Sequence, residues 1–251
     1  MHQSWKDVHV PLEYARWTLS WKSLHPNWEY RLWTDADNEA LVNDHYPWFK
    51  DTYDSLPKPV MKADACRVLY MHKYGGMYAD LDFEALRNVE PLLPGQQVLL
   101  GSMMTGMDAC RAAEWAMCDH AIPNAWMASV RGHPFWLFAL QQIIKAAGEH
   151  NTSRWDFVET VTGPVMLYNA VKAYRRVNST GLNVLEPGVI YPINWLDTMW
   201  VHEESAEDNA MTVCDPANRH FSDTECKKRF PDAYAITYWS HSWAPRGRKG
   251  R

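Results

Sequence analysis

The sequence lacks any run of about 18 apolar residues, so no segment is long enough to span a bilayer as a helix. It also lacks a basic stripe. Net charge is −5 at pH 7, and the one basic cluster, Arg246 to Arg251, reads as a short solvated tail. A nucleic-acid partner is excluded on that footing, because binding phosphates needs a positive face. No internal repeat or low-complexity tract interrupts the chain, which excludes a solenoid. A charged-then-apolar leader is missing as well. The chain passes at Met1-His2-Gln3-Ser4-Trp5 straight into what reads as domain sequence. A native targeting segment, expected as a type II membrane anchor, is therefore sought outside this chain, and any membrane association with it.

Cysteine is sparse, at five residues. Cys214 and Cys226 flank a polar loop rich in Asp and Lys and read as a local disulfide pair. Cys66 falls in a predicted helix and reads as a buried thiol. Two glycosylation sequons begin at Asn151 and Asn178. Together these features lean towards an oxidising, luminal compartment.

What is present suits one α/β domain over residues 1–251: 47% hydrophobic residues build a sizeable core and 22% charged residues cover it. Tryptophan is abundant, at 14, beside 12 tyrosines. Flat aromatic faces suit nucleobases and sugar rings, although most are expected to pack the core. Helical spacing runs from Pro11 to His25, from Asp37 to Asn43 behind a Thr34-Asp35 cap, and from Val60 to Tyr74. Further helices are expected over Phe135 to Ala147 and Thr162 to Arg175. Strands are expected at Trp28–Trp33, at Met77–Ala79, after residue 183 and at Ala235–Trp239. Alternating elements of this kind predict a sheet with helices on its faces, its ligands at the carboxyl ends of the strands.

The order helix, Gly75-Gly76, strand, Asp80-Leu81-Asp82 carries the chemistry. Two aspartates spaced i, i+2 at a strand's end turn both carboxylates towards one site. Hard cations such as Mn²⁺ or Mg²⁺ accept one or two such ligands and fill the rest of their shell with phosphate oxygens and water. Asp-x-Asp alone is a weak signal, since solvated turns carry it too. Asp64 and Arg67 share a helix face at i, i+3, which is equally the pattern of a plain surface ion pair. The glycine pair lets the backbone turn tightly and approach a ligand.

The segments Lys62-Ala63-Asp64-Ala65-Cys66-Arg67-Val68-Leu69-Tyr70 and Tyr74-Gly75-Gly76-Met77-Tyr78-Ala79-Asp80-Leu81-Asp82 resemble the signature of glycosyltransferase family 32. That family holds fungal initiating α-1,6-mannosyltransferases, inositol-phosphoceramide mannosyltransferases and some α-1,4-transferases. The likeness continues at His2 to Lys6, Tyr30 to Asp35, Thr162-Gly163-Pro164 and Tyr238 to Trp243, so it covers nearly the whole chain. It implies a GT-A fold, a single Rossmann-like mixed sheet flanked by helices, with a divalent metal and retention of anomeric configuration. It further implies that Trp5 stacks on the donor base and that Asp64 and Arg67 hold sugar and ribose hydroxyls. By the same likeness Tyr78 lines the donor pocket, Asp80 meets the ribose and metal, and Asp82 ligates the metal. Asn124 would lie near the reacting sugar, and Ser242 and Trp243 would close over the diphosphate.

Two departures stand out. Relatives carry an apolar strand ahead of the His-Gln element, where only Met1 stands, so the first strand is expected to be shortened. Relatives also carry a histidine where Tyr238 stands, and His241 then becomes the candidate metal ligand, or a plain hydrogen-bonding residue. The expected donor is GDP-mannose, then a UDP-sugar carrying a hexose or N-acetylhexosamine. The expected acceptor is a glycan or glycolipid, and the expected location is the Golgi lumen. Two rivals of another class are a glycoside hydrolase, with Glu84 or Glu159 as second acid, and an inactive Trp-rich carbohydrate-binding protein.

Overall fold

A computed structural model describes residues 1–103, 118–149, 157–178, 180–194, 210–216 and 218–240. The strands are β1 (His2–Ser4), β2 (Arg31–Trp33), β3 (Gly76–Ala79), β4 (Phe83–Ala85), β5 (Val98–Gly101), β6 (Trp126–Ser129), β7 (Leu182–Leu185) and β8 (Ala235–Thr237). Six of them form a mixed sheet in the order β2-β1-β3-β6-β5-β7, while β4 and β8 pair as a separate antiparallel ribbon. The expected mixed sheet is therefore present, with the ribbon as an addition. The helices are α1 (Leu12–Leu24), α2 (Asp35–His45), α3 (Lys50–Ser55), α4 (Pro59–Lys73), α5 (Pro134–Glu149), α6 (Val158–Val161), α7 (Pro164–Val177), α8 (Ala210–Cys214) and α9 (Asp223–Lys228).

Both faces of the sheet are covered. Val98, Leu100 and Met127 pack on one side with Leu69 of α4, Leu140 of α5 and Leu167 of α7. Leu99, Met77 and Trp126 pack on the other with Trp21 of α1. Local chemistry sets the helix ends. Thr34 caps α2 in a reciprocal box with Asp37, and Pro59 starts α4 where no backbone donor is needed. Gly75 then stops α4 at φ +66°.

Strand direction positions the site. β1 and β3 run parallel, with His2 opposite Tyr78, so their carboxyl ends lie side by side. β6 runs antiparallel to β3, with Ala79 opposite Trp126, which brings its amino end to the same edge. The Asp80 amide donates to the Ala125 carbonyl at 2.9 Å and fixes that alignment.

One expected strand needs correction, and the cysteine expectations hold. The strand expected over Trp28–Trp33 is confined to Arg31–Trp33, because Trp28 turns away to donate to Glu90 at 2.7 Å. A Cβ at Gly75 would meet the Arg131 amide nitrogen at 2.5 Å, so Gly75 serves a backbone-on-backbone contact at the end of β3 away from the acidic turn. Cys214 and Cys226 are disulfide-bonded, and Cys66 is a buried thiol. Asn178 is exposed just beyond α7, whereas Asn151 lies outside the described residues. Among the described residues no helix is long and apolar enough to cross a membrane.

Candidate active site

A cleft of about 440 Å³ opens at the edge where β1 and β3 end. Trp5, Asp64, Arg67, Tyr78, Asp80, Asp82 and Asn124 all line it. His241, Ser242 and Trp243 lie outside the described residues.

Arg67 is the hub. One terminal nitrogen reaches Asp64 Oδ1 at 3.0 Å and Asp80 Oδ1 at 3.3 Å, and the other donates to the Asn124 carbonyl at 2.9 Å. Its guanidinium also sits 4.7 Å from the centre of the Tyr78 ring. Asp64 accepts from the Asn124 amide at 3.0 Å and from the Thr162 hydroxyl at 3.2 Å. Far from being a surface ion pair, Asp64 and Arg67 are both buried. The same α4 face that gave them i, i+3 spacing is turned inward onto the strand ends.

The acidic turn is held from beneath and from the side. Gln3, fully buried, donates to the Asp80 carbonyl at 3.2 Å while its own oxygen accepts from Thr18 and Tyr30. Tyr78 donates to Asp80 Oδ1 at 2.6 Å. Asp82 Oδ2 accepts from both the amide and the hydroxyl of Ser240, at 2.8 and 2.9 Å. The chain reaches Ser240 through Trp239, which adopts φ +47°, stacks on Tyr191 and donates to the Ile193 carbonyl.

Charge in the cleft is unbalanced. Three carboxylates, Asp64, Asp80 and Asp82, surround one guanidinium, a formal excess of two negative charges. Burial, reinforced by mutual repulsion, pushes Asp64 and Asp80 up to about 6 against the pull of Arg67, and raises Asp82 as well. Arg67 moves the opposite way in stability: its neighbours hold it charged in spite of burial.

These residues fit a divalent cation and a diphosphate. Asp80 Oδ2 and Asp82 Oδ1 accept no hydrogen bond from another described residue, which leaves one oxygen of each for a metal. Arg67 Nε and Trp5 Nε1 are buried donors without a partner among the described residues. No three His, Cys, Asp or Glu side chains among the described residues converge into a closed cage. Two carboxylates with open positions leave room for phosphate oxygens.

Sequence reasoning passed over several lining residues: Tyr14, Asp35, His120 and Ser240. Gln3 and Ser240 lie inside segments that carry the family likeness, which was their available signal. His120 had none. Trp5 meets Tyr14 edge-on at 5.4 Å, leaving the expected base-stacking position on the cleft wall. Of the two acids considered for a hydrolase, Glu84 is bound by Lys227 and Tyr238 and does not line the cleft, whereas Glu159 does.

Comparison with known proteins gives the chain a family. Residues 11–99 match the family model described as the glycosyltransferase sugar-binding region containing a DXD motif. A mannosyl phosphorylinositol ceramide synthase of Saccharomyces cerevisiae is 31% identical over 74% of this chain and 46% of its own length. An inositol phosphoceramide mannosyltransferase of Schizosaccharomyces pombe is 30% identical over 70% of this chain and 45% of its own. A lactosylceramide 4-alpha-galactosyltransferase of Gorilla gorilla gorilla is 23% identical over 82% and 51%. Among solved structures, the PaToxG glycosyltransferase superposes with a TM-score of 0.48 at 13% identity, covering 69% of this chain and 67% of that one. The chain spans about half the length of the curated relatives it matches. It belongs to the glycosyltransferase family whose sugar-binding region carries the DXD motif, and Asp80-Leu81-Asp82 is that motif here.

Proposed function

We propose that this chain transfers a hexose from a nucleotide-diphosphate sugar to a hydroxyl of a glycan or glycolipid, with retention of anomeric configuration. The observation that carries this reading is the cleft itself: one guanidinium among three carboxylates, at the edge where two parallel strands end. Mannose from GDP-mannose comes first, because relatives named for mannosyl transfer are 31% and 30% identical and one named for galactosyl transfer only 23%. A UDP-sugar is the second choice.

Asp80 and Asp82 would hold Mn²⁺ or Mg²⁺, with His241 as a further candidate ligand. The ion, when bound, offsets the charge that builds on the departing diphosphate. Arg67, locked by Asp64 and Asn124, presents its positive edge to the same region without reorganising. Trp5 offers the base an aromatic face, and Tyr78 orients Asp80 through its hydroxyl. Ser242 and Trp243 would close over the diphosphate. The whole chain acts as one catalytic domain in this reading. Its proposed place is the Golgi lumen, which the Cys214–Cys226 bond favours because disulfides persist where glutathione does not reduce them.

A donor panel tests the proposal. GDP-mannose or a UDP-sugar should raise the melting temperature in Mn²⁺ and lose that effect in chelator. A hydrolase would instead cleave a glycoside with no nucleotide sugar present, and a plain lectin would ignore both nucleotide and metal.

A further inference from the structure

Two further side chains line the cleft that holds Asp80 and Asp82: Glu159 on α6 and His120, four residues ahead of Asn124. His120 Nε2 donates to Glu159 Oε2 at 3.0 Å, and its Nδ1 donates to Asp119 Oδ1 at 2.8 Å. Carboxylates at both ring nitrogens favour the doubly protonated ring, in which each nitrogen donates. Burial opposes that charge, but the two carboxylates outweigh it and raise the His120 pKa. His120 is buried, whereas the Glu159 side chain stays 37% accessible. The cation is thus hidden and the carboxylate is presented. Among the described residues, only His120 bonds the Glu159 side chain, so Oε1 is open to a ligand.

The backbone beneath Glu159 is fixed too. A Cβ on Gly163 would lie 2.8 Å from Glu159 Cα, so only glycine lets the chain pass there. Thr162 donates to Asp64, which ties this turn to the Arg67 hub. A clamped carboxylate repels a diphosphate and suits hydroxyl donors, the groups a sugar offers. Such a pre-set acceptor discriminates ligands that lack the matching hydroxyl.

We propose that Glu159, positioned by His120, reads a sugar hydroxyl in this cleft, belonging either to the transferred hexose or to the acceptor. The proposal rests on the transferase reading. Its test uses the whole chain, unaltered and as Glu159→Ala, Glu159→Gln, His120→Ala and His120→Gln. GDP, UDP, GDP-mannose and UDP-galactose are titrated calorimetrically in Mn²⁺, and inositol phosphoceramide and lactosylceramide in detergent micelles serve as acceptors.

Glu159→Ala should keep nucleoside-diphosphate affinity within about twofold and weaken sugar recognition about tenfold or more, the loss of one charge-assisted hydrogen bond. A loss in nucleotide-sugar affinity assigns the hydroxyl to the transferred hexose. A rise in acceptor KM with kcat retained assigns it to the acceptor. His120→Ala should reproduce the defect, and His120→Gln, whose amide still donates to Glu159, should restore most of it. Should Glu159→Ala melt early, the near-isosteric Glu159→Gln carries the same comparison. Unchanged nucleotide-sugar affinity and acceptor KM in folded Glu159 variants overturn this proposal and leave the transferase reading standing. No nucleotide binding and no transfer by the unaltered chain overturn both.

Discussion

The two ends of strand β3 are built in opposite ways. At Gly76 the strand starts from a turn where Gly75 presses against the backbone of Ser129 to Arg131, and His2 Nε2 meets the Gly75 carbonyl at 3.0 Å. At Ala79, three positions on, the chain runs into the acidic turn, whose Asp80 shares one guanidinium with Asp64. One end is satisfied and close-packed; the other carries repulsion that a ligand would relieve. The lesson is one of leverage. A short strand held tightly at its amino end keeps register, so its carboxyl end tolerates an arrangement that would otherwise relax.

Four experiments break or sharpen that contrast. The largest effect should come from Asp80→Ala or Asp82→Ala, each lowering metal-dependent transfer by on the order of 10²-fold or more while circular dichroism stays native. Undiminished turnover by both variants would refute the site. At the other end, Gly75→Ala should destabilise by roughly 2–4 kcal/mol, from the left-handed backbone and the Cβ clash together. Denaturant unfolding measures it, and turnover per folded molecule should be little changed.

The third experiment uses pH, because the two ends carry opposite signs. Burial lifts Asp80 to about 6, above its unfolded value of 3.8. The stability contributed by its protonated form is therefore full below pH 3.8 and is lost as pH rises through about 6. In chelator, Asp80→Asn should melt higher than the unaltered chain at pH 7, with the gain fading as pH falls towards 4. Burial lowers His2 from 6.5 to about 4, so its neutral form contributes stability that is lost as pH falls from 6.5 through 4. His2→Asn should flatten that acid-side loss. The smallest effect belongs to Ser240→Ala, which removes one of two bonds to Asp82 Oδ2 and keeps the backbone amide. About 1 kcal/mol in Mn²⁺-free stability is expected, read as a small melting shift.

Much of this was legible in the residues. α1, α4, α5 and α7 fall within two residues of the expected spans, since long amphipathic spacing and Pro or Gly boundaries are strong signals. β5 and β6 were not anticipated. Val98-Leu99-Leu100-Gly101 is buried at every position, so the alternation that betrays a half-exposed strand never arises. The site divides likewise. Asp64, Arg67, Asp80 and Asp82 stand in the two signature segments within residues 62–82, and Asn124 was named by the family likeness alone; all five line the cleft. The meeting of His120 with Glu159, 39 positions apart, depends on how α6 joins α7 and leaves no local trace.

The reversed direction of β6 has a consequence for how this protein can diversify. Because β6 enters the sheet at the cleft edge, the residues that lead into it, His120 to Asn124, are delivered to the cleft. Ala125 and Trp126 are pinned to Asp80 and Ala79, so substitutions just ahead of them leave that anchor in place. Side chains delivered on that approach are thus open to exchange while the acidic turn keeps its coordinates.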